Sequence, residues 1–519
     1  MPTPSFDAIV IGGGPNGLAA AHHLQAKGRR VLLLERADAA GGGAAGQPFA
    51  EGFARPALAH LAYNLDPRVE RAMDLARHGL SWADPVLPTT ALSATGRHLR
   101  LEGAAGERLA GGDAGAADRA AWAALRARLM RFARVLSPLR AMTPPRLARG
   151  AGNPVRALAG VGLRARMMGA DEFRELLRVF LTNMHDLLGD ELSDPLLKGA
   201  LAFDASLGAW LGPRSPNSLL PWLDRLAGQI DGRQGAIGLP GGGMAALGAA
   251  MARAAEAQGV AIRTGTAVGR ILVEADRAAG VELADGTAIR AGLVVSALAP
   301  KVTLLDLAGP RHLDTGMAAR LRHQKARGAA AKLHLALRGL PDFRGADPRS
   351  RLVIAPSPEA VERAFDPGKY GGVPEAPTME ILIPSAIEGG HAPEGRHLLS
   401  AVVQYAPHGP ADPAAARAAM LRAAMAQLEA HAPGIGALVE AAEMLMPHDI
   451  AARWGSPGGT WHHGELSVEQ MLFLRPVPGL AQYATPIAGL WLASAGCHPG
   501  GGVSGSAGLN AAEAIGRAA

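Results

Sequence analysis

Cysteine is almost absent from this chain, because Cys497 is the single one among 519 residues. A lone thiol cannot form an internal disulfide or a C-x-x-C redox pair, so dithiol chemistry is excluded. The 17 histidines lack an H-E-x-x-H or comparable ligand spacing, which predicts no metal site. Aromatic residues make up only 4% of the chain, too few for a base-stacking platform, and no nucleic-acid-binding motif accompanies the formal charge of +6. We therefore expect no nucleic-acid partner.

Long apolar runs are also missing. No run of about 18 uninterrupted apolar residues occurs, so the sequence predicts no transmembrane helix. The first residues lead into an apolar strand without a basic region followed by a cleavable apolar segment, and a cytoplasmic location is therefore expected. A chain of 519 residues is too long for one core and predicts two or three domains of about 100 to 200 residues each.

A dinucleotide-binding pattern stands near the start of the chain. Ala8 to Ile11 is a short apolar run typical of a buried parallel strand, and Leu18 to Lys27 has the composition of a helix. Between them Gly12, Gly14 and Gly17 fit G-x-G-x-x-G. In this motif the first glycine permits the turn, the second lets a pyrophosphate approach the backbone, and the third lets the helix pack on the strand.

The residues after the helix complete this unit. Val31 to Leu34 is a second apolar strand, and it ends in Glu35, where a carboxylate can accept hydrogen bonds from ribose hydroxyls. A glycine-rich strand–helix–strand unit without a ligand is the alternative, but strand, glycines, helix, strand and acid seldom occur in this order by chance. The bare motif does not separate FAD from NAD. The glycine cluster at 41–43 is more typical of flavoproteins and favours FAD.

A basic helical region follows between residues 119 and 166. One helical stripe is apolar and contains Trp122, Leu125, Leu129, Phe132 and Leu136, while the other side is rich in arginine. This pattern permits peripheral contact with an anionic membrane. We favour the alternative of a helical cap whose stripe faces the protein and whose arginines are solvated, because amphipathic helices ordinarily bury their stripes.

Two later blocks match the opening one. Residues 237–300 read as a glycine turn, a helix from Met244 to Gln258 and several strands, without a second phosphate fingerprint, so we assign them to the same nucleotide domain. Residues 489–518 contain an apolar strand, the glycine-rich turn SAGCHPGGGVSGS and a helix. This turn and helix can present amides to an anion or to a reduced flavin, whereas an unstructured glycine-rich tail is the alternative. Between these blocks, residues 311–479 alternate strands with a helix from Pro413 to His431 and predict an antiparallel sheet.

These blocks resemble the phytoene-desaturase-related family of FAD-dependent oxidoreductases, and within it the likeness is strongest to the pyridine nucleotide-disulfide oxidoreductase domain-containing protein 2 group. The segments that carry the resemblance are IGGGPNGLAAA, LLLER with the glycines at 41–43, GLPGGGMAALGAAMA, VVSALAPKVTLL, PGGTWHHGELSVEQMLFLRPVPG and GLWLASAGCHPGGGVSGSAGLNAA. The resemblance implies a glutathione-reductase-type fold of class α/β plus α+β. In this division a Rossmann domain at 1–75, 235–310 and 480–519 binds FAD, and a discontinuous antiparallel-sheet domain with a helical cap at 76–234 and 311–479 binds the substrate.

The resemblance also implies functional residues and a reaction. FAD would be held non-covalently, and two hydrogens would leave adjacent carbons of an apolar, isoprenoid-like small-molecule substrate. The FAD-contacting residues would be Gly12, Gly14, Pro15, Asn16, Gly17, Glu35, Arg36, Gly42, Gly43, Val268, Gly496, Cys497, Gly501, Gly502 and Val503. Dehydrogenation requires a proton acceptor, a role suited to histidine. His498 is the first candidate, followed by His463 and Glu465, although His498 is equally suited to anchoring the glycine loop.

The name of the group indicates pyridine nucleotide and disulfide chemistry, but this chain lacks the motifs for both. It has no C-x-x-C and no second G-x-G-x-x-G, so electrons are expected to leave to oxygen or a quinone. Two alternatives stay open. A flavin amine oxidase shares the fold, but its aromatic cage is hard to supply from Tyr63, Tyr370, Tyr405 and Tyr483. A non-catalytic lipid-binding or regulatory protein can also use this fold.

Overall fold

A five-stranded parallel sheet joins distant parts of the chain in the computed structural model, which describes residues 6–146 and 154–518, without the side chains of 154–157. In spatial order its strands are Ala261–Arg263, Val31–Leu34, Ala8–Ile11, Leu293–Ser296 and Leu490–Leu492. The register pairs Val10 with Leu33 on one side and with Val295 on the other. The strand at 8–11 therefore lies at the centre, and the carboxyl ends of its neighbours meet where the glycine turn begins.

Helices cover this sheet. The helices Pro15–Ala26 and Ser506–Ala518 pack against each other, and Gly243–Ala257 packs against the first of them. The helix predicted to begin at Leu18 begins three residues earlier, because Pro15 follows Gly14 directly and proline suits the first helical position. A three-stranded antiparallel sheet, Val268–Glu274, Arg277–Leu283 and Ala288–Arg290, follows the strand at 261–263, as the Asp285-Gly286 turn predicts.

A second sheet has eight strands. Their spatial order is Val439–Leu445, Ala330–Leu337, His397–Gln404, Thr378–Leu382, Arg351–Ile354, Thr89–Ala91, Leu99–Glu102 and Arg108–Gly111. All neighbours are antiparallel except Arg351–Ile354 and Thr89–Ala91, which run parallel. The sheet thus combines strands from before and after the helical region. One of its faces is apolar and packs on the helix Pro413–His431 through Met420, Ala424 and Leu428.

The helical region covers part of the other face. Its helices are Ala116–Arg140, Pro154–Met167, Ala170–Leu181, Met184–Glu191, Pro195–Ser206 and Leu220–Ala227. Further α-helices are Pro67–Ala72, Thr315–His323, Pro358–Gly368, Pro384–Ile387, Ile435–Leu438 and Pro447–Trp454. Three pairs of short antiparallel strands are Gly46–Pro48 with Ala54–Pro56, Trp82–Asp84 with Leu239–Pro240, and Gln229–Ile230 with Arg233–Gln234. No helix among the described residues is both long and apolar enough to cross a bilayer.

The basic helix buries its apolar stripe in the protein. Trp122, Leu125, Leu129 and Phe132 are all buried in one apolar cluster with strands of the eight-stranded sheet. The arginines of this helix are solvated only in part: Arg131 and Arg134 are exposed, whereas Arg126 donates to the carbonyls of Ala104 and Ala105 and Arg128 pairs with Glu191. The continuation of the basic run at 147–153 lies outside the described residues.

Candidate active site

A cavity of about 460 Å³ begins beside the glycine turn and reaches the eight-stranded sheet. Of the residues assigned to FAD from the sequence, those that line it are Gly12, Gly14, Pro15, Asn16, Gly17, Glu35, Arg36, Gly42, Gly43, Val268, Gly502 and Val503. These residues come from four separate stretches of sequence. The parallel sheet brings the stretches together, because they follow its strands at 8–11, 31–34, 261–263 and 490–492, which all end on the same edge.

The three glycines of the turn are each required by a different constraint. Gly12 has a φ of 97°, a left-handed backbone that side chains disfavour. An ideal Cβ on Gly17 would lie 1.9 Å from the carbonyl oxygen of Gly12, so only glycine allows the helix to approach the strand so closely. Gly14 has an ordinary extended backbone and lines the cavity. The helix that begins at Pro15 therefore directs its positive end toward an open, side-chain-free surface suited to a pyrophosphate.

The carboxylate of Glu35 is fixed by two backbone amides. The amide of Gly13 donates to Oε2 at 2.6 Å, and the amide of Ala37 donates to Oε1 at 2.8 Å. Arg36, which also lines this end of the cavity, donates from Nη2 to the carbonyl of Arg453 at 2.7 Å. A carboxylate held this way keeps free lone pairs for a ribose hydroxyl. The arrangement fits the ribose end of a dinucleotide.

The second glycine cluster packs directly behind the first. Gly42 has a φ of 54°, and an ideal Cβ there would lie 2.9 Å from the Cα of Gly14. The two backbones are therefore close, and Gly42 cannot carry a side chain on the side that faces Gly14. Gly42 and Gly43 both line the cavity.

The carboxyl-terminal glycine loop is divided between cavity wall and support. Gly502 and Val503 line the cavity, together with Ala495. Gly496 packs on Pro300, and an ideal Cβ on Gly501 would lie 1.9 Å from Nδ1 of His462. Cys497 is buried, and burial raises the pKa of its thiol. Gly496, Cys497 and Gly501 thus lie behind the cavity-lining part of the loop and are not among the lining residues.

Arg475 ties this loop to the preceding segment and was not singled out from the sequence. Its guanidinium is fully buried and donates to five main-chain carbonyls, those of His462, Glu465, Gln470, Ala495 and Cys497, at 2.7 to 3.3 Å. Burial lowers the pKa of Arg475 to about 10, so the group is charged at neutral pH. The only sequence signal was an arginine in the otherwise apolar run LFLRPVP.

Of the three catalytic candidates, His498, His463 and Glu465, only His463 lines the cavity. Its φ is 56°, an uncommon backbone for a residue other than glycine, and its amide donates to the carbonyl of Thr460 at 3.0 Å. Burial, with the charge of Arg475, lowers the pKa of the imidazole to about 4. The ring is therefore neutral at physiological pH, a state in which it can accept a proton.

The other two candidates face away from the cavity. The Nε2 atom of His498 lies 2.5 Å from the carbonyl oxygen of Leu139 in the basic helix, so the imidazole links the glycine loop to that helix. The carboxylate of Glu465 accepts two hydrogen bonds from the guanidinium of Arg327, at 2.7 and 3.1 Å. Neither His498 nor Glu465 is among the residues that line the cavity. The contact with Leu139 favours the anchoring alternative for His498.

Charged side chains line the end of the cavity at the eight-stranded sheet, and they were not predicted from the sequence. Glu380 accepts a hydrogen bond from His60 Nε2 at 2.7 Å and another from Arg351 Nε at 2.5 Å. Burial raises the pKa of Glu380, but the attraction of Arg351 and Arg225 and the hydrogen bond from His60 together outweigh burial and hold this pKa well below its usual range. Burial lowers the pKa of His60 to about 4, so this imidazole is neutral and donates through Nε2. Lone charged residues inside buried strands, as in RLVI and TMEIL, were the available signal.

The known proteins that this chain resembles are described as oxidoreductases or oxidases. A model of the family described as flavin containing amine oxidoreductase matches residues 16–516. The chain is 31% identical to pyridine nucleotide-disulfide oxidoreductase domain-containing protein 2 of Rattus norvegicus over 99% of this chain and 93% of that protein. Among solved structures, the fold is similar to an oxidoreductase from Methanosarcina mazei, with a TM-score of 0.60 at 16% identity over 98% of this chain and 99% of that one. It is also similar to cyclohexylamine oxidase from Brevibacterium oxydans, with a TM-score of 0.57 at 15% identity over 99% and 98% of the two chains.

Proposed function

Because the chain belongs to the family of flavin-containing amine oxidoreductases and its cofactor is FAD, we propose that it removes two hydrogens from adjacent carbon atoms of an apolar small molecule. The observation that carries this proposal is the continuity of one cavity. It joins the glycine floor at 12–17 to a neutral imidazole, His463, and to apolar side chains. When bound, FAD supplies a two-electron acceptor for a hydride.

The apolar part of the wall supports this substrate class. The apolar side chains of the cavity wall include Leu61, Leu207, Ile237, Val402 and Trp461. Such a wall excludes water and holds a hydrocarbon segment without hydrogen bonds. His463 is the residue of this cavity suited to take the proton that leaves with the hydride. The isoprenoid character of the substrate and its reoxidation by oxygen or a quinone belong to the same proposal.

We also propose the domain division at the predicted boundaries. All five strands of the parallel sheet lie within 1–75, 235–310 and 480–519, and all eight strands of the other sheet lie within 76–234 and 311–479. This distribution supports a glutathione-reductase-type FAD domain and a separate substrate domain with a helical cap. The cavity takes residues from both, which favours a substrate site between them.

Amine oxidation is the second candidate, and the family description favours it. Three aromatic rings line the cavity, those of Tyr63, Trp454 and Trp461. Tyr405 and Tyr483 are buried elsewhere, and Tyr370 is 90% exposed. Both carboxylates at the charged end of the cavity are already paired with arginines, which disfavours the binding of an amine there. Dehydrogenation of an apolar substrate is therefore the better supported reaction.

Peripheral membrane contact is a further part of the proposal, with the exposed helices Pro154–Met167 and Ala170–Leu181 as the attachment site. Leu163, Met167 and Leu181 are 59%, 76% and 72% exposed, and Arg164 and Arg166 stand exposed beside them. Apolar side chains next to arginines fit the headgroup region of an anionic bilayer. Co-sedimentation of the purified protein with phosphatidylglycerol vesicles tests this attachment site.

In that assay Met167→Ser should reduce binding, and the matched control Leu340→Ser, at a 44% exposed leucine elsewhere on the surface, should not. Binding that is equal in the wild type and Met167→Ser, or a wild type that stays in the supernatant at low salt, would contradict this attachment site.

The proposed reaction is tested on the purified flavoprotein under anaerobic conditions. Two classes of compound are added separately while the flavin absorbance is followed. One class is apolar compounds that can lose two hydrogens from adjacent carbons, and the other is primary amines of equal chain length. Bleaching by the apolar compounds alone supports dehydrogenation, and bleaching by the amines alone supports amine oxidation. A folded protein that holds FAD and is bleached by neither class would favour the non-catalytic alternative. Reoxidation by oxygen is then compared with reoxidation by a soluble quinone.

A further inference from the structure

A cluster of charged side chains closes the sheet end of the cavity. It consists of His60, Asp204, Arg225, Arg351 and Glu380. His60, Arg225 and Glu380 line the cavity directly, whereas Arg351 is fully buried behind them. A wholly apolar substrate would leave these groups facing hydrocarbon, which is costly for charged and polar atoms. The cluster therefore indicates that one end of the substrate is polar.

The negative charges of the cluster are already compensated. Glu380 uses one oxygen for His60 and the other for Arg351, as described above. Asp204 accepts from Arg351 Nη2 and from Arg225 Nη1, the latter at 3.2 Å. The two carboxylates are thus balanced by two guanidinium groups, with His60 neutral. A substrate ammonium group would find no unpaired carboxylate here, so recognition of a cation is disfavoured.

A buried lysine, Lys332, lies near the same end of the cavity. Lys332 is completely buried on the strand Ala330–Leu337, and its register partner Val402 lines the cavity. Its amino group forms no ion pair or hydrogen bond among the described residues. The field at this end of the cavity is therefore neutral to positive, which favours an anion over a cation.

Arg225 presents the remaining hydrogen-bond donors. It lies on the helix Leu220–Ala227, and its side chain is 12% exposed where the main cavity meets a smaller one of about 40 Å³. Within the described residues only its Nη1 is hydrogen bonded, to Asp204. Its guanidinium carbon lies 4.8 Å from the centre of the Tyr63 ring, which holds the group in place. The hydroxyl of Tyr63, also on the cavity wall, makes no hydrogen bond within the described residues.

We propose that Arg225 and Tyr63 bind a carboxylate group of the substrate, which makes the substrate an apolar monocarboxylate. This inference rests on the proposed function, since it names the class of molecule that the same cavity oxidises. Guanidinium groups pair with carboxylates through two parallel hydrogen bonds, and the free Nε and Nη2 atoms of Arg225 offer that fork. The hydrocarbon part then lies along Leu207, Ile237 and Trp461, on the way to His463 and the glycine floor.

Three probes of equal chain length test the assignment on the FAD-containing protein: octanoate, 1-octanol and octylamine. Binding is measured by calorimetry and by perturbation of the flavin absorbance. We expect octanoate to bind at least roughly tenfold more tightly than either other probe, because only the carboxylate gains charge-assisted hydrogen bonds. Octylamine that binds as tightly as octanoate would overturn the proposal without any variant.

Variants locate the carboxylate site. Arg225→Gln should weaken octanoate at least roughly tenfold and leave 1-octanol nearly unchanged. Tyr63→Phe, which removes only the hydroxyl, should weaken octanoate severalfold and covers the case that Arg225→Gln fails to fold. The matched control is Arg233→Gln, an exposed arginine nearby in sequence that does not line the cavity. Unchanged octanoate binding in folded, FAD-containing Arg225→Gln and Tyr63→Phe would overturn the proposal.

The outcome for this site is separable from the outcome for the proposed reaction. Selective octanoate binding that depends on Arg225, without flavin bleaching by any apolar carboxylate, would leave the anion site standing and contradict the dehydrogenation. Bleaching by apolar alcohols or hydrocarbons with no preference for carboxylates would support the dehydrogenation and overturn the carboxylate site.

Discussion

Arg475 donates a 2.8 Å hydrogen bond from its buried guanidinium to the main-chain carbonyl of Ala495, a residue of the cavity wall. The same guanidinium holds the carbonyl of His462, the neighbour of His463, at 2.7 Å. One side chain therefore fixes both the glycine loop and the segment that carries the proposed proton acceptor. This link explains how two turns without regular secondary structure keep a defined geometry beside the cofactor site.

Replacement of Arg475 should loosen this part of the cavity. In Arg475→Met five carbonyls lose their donor, and each lost hydrogen bond costs roughly 1 kcal/mol or more. We expect a lower thermal midpoint and a lower FAD content, with Arg475→Lys intermediate because it keeps the charge but not the fork. Arg233→Met, at an exposed arginine, is the control. Wild-type FAD content and midpoint in Arg475→Met would contradict the role.

His463 and His498 should differ in the effects of substitution. His463→Asn removes the imidazole that lines the cavity and should lower kcat by roughly a hundredfold or more, with FAD retained. His498→Asn removes only the link to Leu139 and should mainly lower FAD affinity or stability. Steady-state kinetics and FAD content are measured for both. A larger loss of kcat in folded, FAD-loaded His498→Asn than in His463→Asn would reverse the assignment.

The pH profile checks the same residue. Because the pKa of His463 is about 4, the imidazole is a proton acceptor above that pH and is lost as an acceptor when the pH falls through it. The logarithm of kcat/KM should therefore decrease below about pH 5, and His463→Asn should lack this acidic limb.

These side chains mark the limit of what the sequence could predict. The glycine turn, Glu35 and the helix at 413–431 follow local rules, because motif spacing and periodicity act over a few residues. The polar contacts of Arg475, Arg225 and Glu380 join residues that are far apart in sequence, and no local pattern pairs Glu380 with His60. His498 stands beside the glycines of its loop, but its side chain direction depends on the basic helix 359 residues away.

Lys332 should make the stability of the protein depend on pH. Burial lowers the pKa of this lysine from 10.5 in the unfolded chain to about 7, so between these values the unfolded state binds more protons than the folded state. Stability from this group therefore rises as the pH increases from about 7 toward 10.5. Lys332→Met should remove this rise and increase the thermal midpoint at pH 7. Thermal unfolding at several pH values measures both effects, and parallel curves for the two proteins would contradict the buried charge.

Pyridine nucleotides should not reduce the flavin efficiently. The glycine fingerprint at 12–17 lines the FAD cavity, and the eight-stranded sheet offers no second phosphate-binding turn among the described residues. Anaerobic mixing with excess NADPH or NADH should leave the flavin band unchanged over seconds. Rapid bleaching would make the chain a nicotinamide-dependent reductase.

The placement of FAD against the glycine turn is measured by the FAD content of the wild type and of Gly14→Val, compared by visible absorbance and by release of the cofactor. Gly14 has an extended backbone that valine tolerates, and the added side chain would project into the surface suited to the pyrophosphate. We expect one tightly bound, non-covalent FAD per wild-type chain and almost none in Gly14→Val, with the circular dichroism of the folded protein preserved. Full FAD content in the folded Gly14→Val protein would contradict the placement of the cofactor in this cavity.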